Sequence, residues 1–375
     1  MKNKTVAQKI IFFSFIIVIC LSWILNLVMS PFMDDTNYEN REKAKFEITD
    51  INTCNNWIND HLPFRNKLVE LNSLIDCFLF RTTSDENVKI GKDNWLFYSH
   101  VNRGDSIGCW KGKNLLTEEQ LQNIANNCVN QKNIMESQEK EFVIFIGPNK
   151  EEIYGEYIPS FYGKKADYFK TLQIVDYLKK HTDVRIVYPY RGLLNAKKEV
   201  KEDLYYSADT HWNQIGGYVG ASCLLKELGI ETKPLKDLTI TKKDHHIGDL
   251  SKMLGLVDEF KSKDYNYSLS GYSSNDVKTH EYSEFEVFSY STQNADPRKI
   301  YIWRDSFTEA MAPYIAANFN ESYMRHFNTY SYEDLEKQDP DIVVYEVVER
   351  NIDRKRQVIC WIENHFKKID NYIEN

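Results

Sequence analysis

The sequence predicts an α/β protein whose mostly parallel sheet is covered by helices on both faces. Two runs, FVIFIGPNK at 142–150 and VRIVYPY at 184–190, are almost continuously apolar, as is typical of strands buried on both faces. Segments with a helical pattern alternate with such runs along the chain, and this alternation indicates parallel pairing. At 375 residues the chain is long enough to bury a substantial core.

The first predicted element is a membrane anchor. Residues 10–29, IIFFSFIIVICLSWILNLVM, carry no charge, and a helix of this length spans about 30 Å, one hydrocarbon thickness. Lysines precede the run and acidic residues follow it, so the positive-inside rule places the N-terminus in the cytoplasm and the chain after Pro31 outside. A cleaved signal peptide is the alternative, but VMSPFMDD offers no small-x-small cleavage site. We expect residues 1–32 to form a cytoplasmic tip and an uncleaved signal anchor.

A helical lead-in and a hairpin are predicted to follow the anchor. Residues 33–86 have a helical pattern that Pro63 breaks into two pieces. The segment VKIGKDNWLFY at 88–98 has the turn residues of a short hairpin. Residues 87–375 are predicted to form the main domain. Its further predicted elements are helices near 117–141, 165–181 and 213–228, strands at 298–307 and 340–351, and an amphipathic C-terminal helix.

One segment interrupts the alternation of strands and helices. Residues 232–296 are polar, rich in Tyr and Ser, and strand-like only in patches, so we interpret them as an insertion carried at one end of the sheet. Open α/β sheets bind ligands at the carboxyl ends of their strands. The predicted site therefore draws on the segments 147–150, 207–213 and 304–307.

Composition excludes some classes of function. The net charge of −8 argues against a general nucleic-acid-binding protein, which needs a basic face. None of the seven cysteines forms a C-x-x-C motif, so neither a zinc knuckle nor a thioredoxin-like site is indicated. An extracytoplasmic location permits disulfides, and buried free thiols are an equal alternative. We expect neither a metal ion nor a cofactor.

A serine, a histidine and an acid stand at two of the three strand ends. Ser306 falls where a strand runs into a helix, a turn that exposes the hydroxyl beside free backbone N–H groups. A serine hydroxyl becomes a good nucleophile when a neighbouring imidazole takes its proton, and His211 is the candidate base. Asp209 would orient that imidazole and stabilise its cation. The N–H groups after Ser306 and the side chain of Asn149 are candidate donors to an oxyanion.

Each of these features also has a purely structural interpretation. The SFTE sequence at 306–309 fits a helix capping box. Asp209 suits the N-terminus of the helix that follows it. The pair His245–His246 suggests metal ligands, but neighbouring strand residues face opposite ways, so we interpret the pair as surface or insertion structure. Glu346 and Arg350 are interpreted as an ion-paired support.

The motifs together resemble a known family. SADTHWNQIGGY, followed downstream by RDSF, resembles the SGNH-type acyltransferases named for their Asp-x-His-Trp (DHHW) motif, a family that includes periplasmic alginate O-acetylation proteins. IGKDNWLFY, PNKEEIYGEYIP, HIGDLSKMLGL and PDIVVYEVVERN resemble that family's segments in the same order, over roughly residues 35–355. The resemblance implies an SGNH-hydrolase-like three-layer α/β/α fold. It also implies a circularly permuted motif order, in which the Asp-x-His element precedes the nucleophile.

The resemblance assigns roles to single residues. It implies that Ser306 is the nucleophile, His211 the base and Asp209 the orienting acid. Arg304 stands where alginate-type members carry glycine, and a side chain there would alter access of the acceptor. The candidates for oxyanion or substrate contact are Asn149, Trp212, Arg304 and Phe307.

The function that the resemblance implies is O-acyl transfer, most simply acetyl transfer, to hydroxyls of a cell-surface or exported polysaccharide. A membrane-anchored enzyme with its catalytic domain in the periplasm or at the cell surface is expected. A single span cannot carry an acyl group across a bilayer, so we expect a multi-spanning membrane acyltransferase to supply the donor. Two alternatives stay open, a carbohydrate acetylesterase with the same triad and a non-catalytic polysaccharide-binding or assembly protein.

Overall fold

The computed structural model describes residues 2–29, 44–45, 51–61, 64–101 and 104–352. The chain divides into two compact units, Met1–Asp85 with Ser251–Glu259, and Glu86–Leu250 with Phe260–Asn375. The predicted borders of the anchor, lead-in and main domain stay a prediction. The predicted C-terminal helix and Cys360 lie outside the described residues.

The described part of the first unit is mostly helical. Helix α1 spans Lys2–Met29, α2 spans Ile51–Asp60 and α3 spans Arg65–Leu74, which continues as a π-helical segment over Ile75–Phe80. The interruption between α2 and α3 is where Pro63 predicts one, although Pro63 itself lies outside the described residues. Among the described helices, α1 is the one whose length and composition suit a membrane span, with a mean hydropathy of 2.2 over Gln8–Leu25.

The second unit begins with the predicted hairpin and contains eleven strands within its described residues. The hairpin strands β1 and β2 pair antiparallel, Ile90 opposite Leu96. The strands are β1 Val88–Ile90, β2 Leu96–Tyr98, β3 Glu141–Gly147, β4 Arg185–Val187, β5 Thr239–His245, β6 Tyr265–Ser270, β7 Val277–Tyr282, β8 Val287–Thr292, β9 Asp296–Arg304, β10 Phe319–His326 and β11 Ile342–Val348.

Ten further helices are described after the hairpin. Helix α5 begins with a capping box in which Thr117 and Gln120 bond each other's backbone N–H groups. The helices are α4 Ser106–Trp110, α5 Glu118–Ser137, α6 Lys150–Ile153, α7 Lys170–His181, α8 Tyr190–Glu199, α9 Gln214–Glu227, α10 Asp249–Leu254, α11 Val257–Phe260, α12 Thr308–Ala316 and α13 Tyr332–Gln338.

The central sheet has seven strands in the order β4-β3-β11-β9-β10-β8-β7. The first five are mutually parallel, and β8 and β7 complete one edge antiparallel. The mostly parallel sheet that the sequence predicts is thus confirmed. The segment 232–296 is only partly separate from it, because its first half forms the β5–β6 ribbon and its second half supplies β7 and β8 to the sheet.

Alternate residues of the central strands enter two hydrophobic clusters on opposite faces of the sheet. On β3, Val143 and Phe145 pack with residues of α9 and α12, whereas Ile144 and Ile146 pack with residues of α5 and α7. A strand buried on both faces needs apolar residues at consecutive positions, which explains the unbroken run in its sequence. The arrangement is the three-layer α/β/α fold that the resemblance implies.

The cysteines that the structure describes are free thiols. Burial raises the pKa of Cys223 and of Cys77 to about 11 in each case, so both thiols stay protonated at neutral pH. Of the two alternatives for the cysteines, free thiols are therefore the one seen in the described part of the chain. These cysteines are Cys20, Cys54, Cys77, Cys109, Cys128 and Cys223.

Candidate active site

Ser306 lies in the turn between β9, which ends at Arg304, and α12, which begins at Thr308. Its Oγ is 2.7 Å from Nε2 of His211. Phe307 occupies the N-cap position of α12 and no side chain caps that helix, so the capping-box interpretation is wrong. The serine hydroxyl is directed at an imidazole and not at the backbone of the helix.

His211 is held by the carboxylate of Asp209, two residues earlier in the same loop. Oδ1 of Asp209 lies 2.6 Å from Nδ1 of His211 and accepts the backbone N–H of His211 at 2.9 Å. Helix α9 is capped by the side chain of Asn213, so Asp209 does not cap it. A carboxylate facing Nδ1 places the ring proton there, which leaves the lone pair of Nε2 toward Ser306.

Two residues of the inserted segment complete the environment of Asp209, and sequence reasoning missed both. Nε2 of His246 lies 2.9 Å from Oδ2 of Asp209, and the backbone N–H of Asp249 donates to the same oxygen at 2.8 Å. The ring of His245 packs beside Tyr265, 4.3 Å away, so the two histidines do point in different directions. The signal that could have found His246 is its place in the HIGDL segment of the family resemblance.

The charges around His211 favour its protonated form. Burial alone would lower the pKa of His211, but the charge and hydrogen bond of Asp209 raise it above its ordinary value. The charge of Asp249 adds to this increase, and Arg350 opposes it. Burial would likewise raise the pKa of Asp209, and the charges and hydrogen bonds of His211 and His246 outweigh that effect and hold it well below its ordinary value. Asp209 is therefore ionised at neutral pH.

The loop that carries Asp209 and His211 is held in place by hydrogen bonds from Lys150. The ammonium group of this fully buried lysine donates to the carbonyls of Tyr206, Ser207 and Asp209 at 3.1, 3.0 and 2.6 Å. It also lies over the ring of Phe97, 5.2 Å from the centroid. The predicted site segment 147–150 thus contributes an anchor for the neighbouring loop.

The side chain of Asn149, next to Lys150 in the sequence, has a donor without a partner among the described residues. The side-chain Oδ1 of Asn149 accepts a hydrogen bond from the backbone N–H of Arg350 at 3.2 Å. The backbone N–H of Asn149 donates to the carboxylate of Glu349 at 2.8 Å. The side-chain Nδ2 is buried and has no hydrogen-bond partner among the described residues. The backbone N–H of Ser306 likewise makes no hydrogen bond within the described part of the chain. Both N–H groups are therefore unpaired within the described residues, as a donor to a substrate oxygen must be.

Trp212 and Phe307 are interior residues, which corrects the expectation that they contact substrate. Their side chains are 1% and 0% exposed. The indole N–H of Trp212 donates to the carbonyl of Phe307 at 2.8 Å, and the two ring centroids are 4.9 Å apart. The N–H of Phe307 is used by Asp305 at 2.8 Å, so it is not an oxyanion donor. The pair joins the loop of His211 to the turn of Ser306.

Arg304 is also buried, so it does not line a path for the acceptor. Its guanidinium lies 3.8 Å from the ring centroid of Phe288 and donates to the carbonyls of Ser283 and Glu284. Glu309, in the first turn of α12, is 3.5 Å from it. The guanidinium fills the space between the end of β9 and the β7–β8 turn.

Glu346 supports the nucleophile turn through hydrogen bonds. Its Oε2 accepts the backbone N–H of Asp305 and the hydroxyl of Thr308, each at 2.8 Å. Burial and the nearby Asp305 charge raise the pKa of Glu346 well above its ordinary value, which favours the neutral carboxyl. Arg350 lies over the ring of Phe307 and donates to Thr210 at 3.4 Å. The expected ion-paired support is instead a set of hydrogen bonds and a cation–π contact.

In the part of the chain that the structure describes, two groups of side chains each place three ligand atoms of the kind that bind metals within 4.8 Å of one another. In one of them, the Glu349 carboxylate already accepts hydrogen bonds from Thr171 and Tyr188, and burial raises the pKa of Cys109, which keeps the thiol protonated. The other is the site itself, where Asp209 and the Nδ1 edge of His211 bond each other. The group at the site is a hydrogen-bonded network, whereas both carboxylate oxygens of Glu152 in the first group are buried without a hydrogen-bond partner among the described residues, with the ammonium of Lys165 3.6 Å away. The groups are Cys109, Glu152 and Glu349, and Asp209, His211 and Asp249.

Comparison with known proteins gives the same fold. The family model described as the SGNH hydrolase-like domain of the acetyltransferase AlgX matches residues 88–289, more than half of the chain. That region contains Asp209 and His211 and ends before Ser306. No curated protein sequence matches.

Solved structures are similar in fold at low sequence identity. A DHHW family protein from Eubacterium siraeum DSM 15702 superposes with a TM-score of 0.53 at 16% identity, covering 74% of this chain and 98% of that one. Bacillus cereus PatB1, solved with a sulfonyl adduct, gives a TM-score of 0.50 at 14% identity, covering 71% and 96%. The O-acetyltransferase domain of Pseudomonas putida AlgJ gives 0.46 at 15% identity, covering 75% and 99%.

Proposed function

Since the chain belongs to the family of SGNH hydrolase-like acetyltransferase domains typified by AlgX, we propose that it is a membrane-anchored O-acyltransferase. Acetyl is the acyl group that the family favours, and the acceptor is a hydroxyl of an extracytoplasmic polysaccharide. The observation that carries the proposal is the continuous hydrogen-bonded chain from Ser306 Oγ through His211 to Asp209. This geometry supports a nucleophile, a base and an orienting acid.

The first half of the reaction forms an acyl-enzyme. Ser306 Oγ attacks the carbonyl carbon of the donor ester while its proton passes to Nε2 of His211. The oxyanion receives hydrogen bonds from the Ser306 N–H and the Asn149 side chain, and loss of one such donor typically costs about 3 kcal/mol. The oxyanion collapses, the bond to the donor oxygen breaks, and His211 returns the proton to that leaving oxygen. Asp209 stays ionised and stabilises the imidazolium throughout.

The second half transfers the acyl group to the acceptor. A sugar hydroxyl gives its proton to Nε2 of His211 and attacks the Ser306 ester carbonyl. The new oxyanion collapses, the bond to Ser306 Oγ breaks, and Oγ recovers the proton from His211. If water replaces the sugar hydroxyl, the same steps hydrolyse the ester. The acetylesterase alternative therefore differs only in which molecule reaches the acyl-enzyme.

The remaining parts of the proposal concern where the enzyme is located and what supplies its acyl donor. Helix α1 has the length and composition of a membrane span and would hold the enzyme at the outer surface of the membrane. The donor acyl group would come from a multi-spanning membrane acyltransferase working beside it. A non-catalytic polysaccharide-binding protein is the alternative of a different class, and it requires the triad to be unreactive.

The first experiment tests whether Ser306 is an activated nucleophile. The structure of PatB1 carries a sulfonyl adduct, and sulfonyl fluorides react with activated serines, so the full chain in detergent is treated with phenylmethylsulfonyl fluoride. We expect the intact mass to increase by one phenylmethylsulfonyl group, as Ser306 Oγ displaces fluoride. Ser306→Ala and His211→Ala should stay unlabelled, whereas Ser268→Ala, at an exposed position of β6, should label like wild type. Equal labelling of all four proteins contradicts the catalytic proposal.

The second experiment separates transfer from hydrolysis. An acetyl-ester reporter is supplied with and without oligosaccharide acceptors, and both acetate and acetylated sugar are measured. We expect acetylated sugar with wild type and none with Ser306→Ala. Acetate release without acetylated sugar, over a range of acceptors, supports the esterase. No Ser306-dependent product of either kind supports the non-catalytic alternative.

A further inference from the structure

We propose that His246, supplied by the inserted segment, is a positioning residue that fixes Asp209 in the orientation that His211 requires. This inference rests on the proposed function and assigns a role to a residue outside the Ser306–His211–Asp209 chain. It makes the active site a tetrad in which one carboxylate serves two imidazoles.

The hydrogen bonds to Asp209 are the first step of the argument. The carboxylate is 6% exposed and accepts four hydrogen bonds, two on each oxygen. Both on Oδ1 come from His211, and those on Oδ2 come from His246 and from the backbone of Asp249. A carboxylate has about four lone-pair sites, so this one is saturated. His246 provides the one side-chain donor to Oδ2 within the described residues.

The placement of His246 is fixed independently of Asp209. Its ring stacks on Tyr206 at a centroid distance of 3.7 Å and an interplanar angle of 13°. Its backbone N–H donates to the carbonyl of Asp264 at 2.9 Å. The carboxylate of Asp264 accepts the N–H groups of Ser207 and Ala208 at 2.7 and 2.8 Å, so the same segment holds the loop that leads into Asp209.

The chemistry of the contact defines what His246 does. An ionised carboxylate has no proton to give, so the hydrogen between the two groups is on Nε2 of His246. Without that donor, Oδ2 keeps only the backbone N–H of Asp249, and the carboxylate is free to turn out of the plane of the His211 ring. The Nδ1 hydrogen bond, which holds the base in its productive tautomer and orientation, then loosens. His246 touches no reacting atom and acts entirely through Asp209.

Three variants test the proposal. His246→Leu removes the donor, His246→Gln keeps an N–H at about the same distance from the backbone, and His245→Leu is the matched control because that ring packs beside Tyr265. In the full chain we expect His246→Leu to lower two rates about tenfold each, the labelling rate with phenylmethylsulfonyl fluoride and the kcat of acetyl transfer. A tenfold change corresponds to the net contribution of one typical hydrogen bond. KM for the acceptor should stay unchanged. His246→Gln should recover most of the rate, and His245→Leu should equal wild type.

The outcomes distinguish a positioning role of His246 from a role in folding. They also distinguish failure of this inference from failure of the proposed function. The thermal midpoint of His246→Leu is measured beside its rate, and a rate loss that His246→Gln fails to recover at an unchanged midpoint contradicts the role as donor. Wild-type labelling by His246→Leu overturns the inference while leaving the proposed function intact. If Ser306→Ala labels as fast as wild type, the result contradicts the proposed function itself, on which this inference rests. If His246→Leu does not fold, His246→Gln alone decides, since a positioning donor predicts near wild-type kcat for it.

Discussion

At the scale of single residues, the reactivity of Ser306 depends on the protonation of His211. Asp209 raises the pKa of His211 above its ordinary value, and the positive charge of Arg350 lowers it. Only the neutral imidazole accepts the serine proton. Under the proposed mechanism, activity therefore requires a pH above the pKa of His211 and disappears as the pH falls through it.

The pH dependence of labelling tests whether the reactivity of Ser306 increases with pH in this way. We expect the rate of reaction with phenylmethylsulfonyl fluoride to rise with pH through a single midpoint above about 6.5, the ordinary value for histidine. Arg350→Met removes a positive charge that disfavours the imidazolium, so its midpoint should move to higher pH. Arg191→Met, at an exposed position of α8, should keep the wild-type midpoint. A midpoint that moves to lower pH in Arg350→Met contradicts the described electrostatics.

Glu346 allows a second prediction at this scale. A carboxyl whose pKa is raised in the folded state keeps its proton where the unfolded chain loses it, so stability falls as the pH rises from about 4.3 toward the folded-state pKa. Glu346→Gln mimics the protonated form and has no such loss. We expect the variant to have a thermal midpoint equal to wild type near pH 4.5 and equal or higher near pH 7.5. A midpoint that is clearly lower near pH 7.5 would mean that Glu346 is ionised in the fold.

At the scale of secondary-structure elements, helices α9 and α12 pack with their backbones close together. A Cβ on Gly217 would overlap the carbonyl oxygen of Ala310 in α12, and one on Gly220 would lie 2.8 Å from the indole of Trp212. Since α9 follows the His211 loop and α12 follows Ser306, this close packing sets the distance between the two halves of the site.

Gly217→Ala tests the packing of these helices. In an exposed helix the change gains about 1 kcal/mol, but here the overlap is with backbone and overpacking costs about 1–3 kcal/mol, so we expect net destabilisation. The labelling rate of Ser306 should fall as well. Ser222→Ala, at a partly exposed position of the same helix, should keep the wild-type rate and should not be destabilised. A stabilised Gly217→Ala variant would show that the two helices separate freely.

The elements also show how far the sequence predicts the structure. Strands β3, β9 and β11 are predictable because burial on both faces demands consecutive apolar residues. Strand β10, whose sequence FNESYMRH is interrupted by polar residues, gives no such signal. The site divides in the same way, since Ser306 follows the end of β9, and Asp209 and His211 belong to a sequence motif in the loop between α8 and α9, where no strand precedes them among the described residues. The approach of His246 depends on where the β5–β6 ribbon folds back, a long-range contact that no local pattern encodes.

At the scale of the whole molecule, the proposed anchor makes a prediction about location. We expect the full chain to sediment with membranes and to resist extraction at high salt, because α1 presents an apolar surface of membrane length. A variant that lacks residues 1–32 should be found in the soluble fraction. Membrane-impermeant maleimide should label Cys54, which is partly exposed, in intact cells. Labelling of Cys54 only after permeabilisation would reverse the proposed topology.

The order of strands in the central sheet has a consequence for the timing of activity. Strand β11, the last described strand of the chain, lies between β3 and β9, and its Val348 N–H bonds the carboxylate of Asp305 beside the nucleophile. In the proposed topology the chain that follows α1 crosses the membrane in sequence order, so β11 arrives after every other described strand. Since β11 joins β3 to β9, we expect the turn that carries Ser306 to become ordered only after β11 has paired. We therefore expect a chain that is still crossing the membrane to be inactive, and its first turnover to require the completed fold.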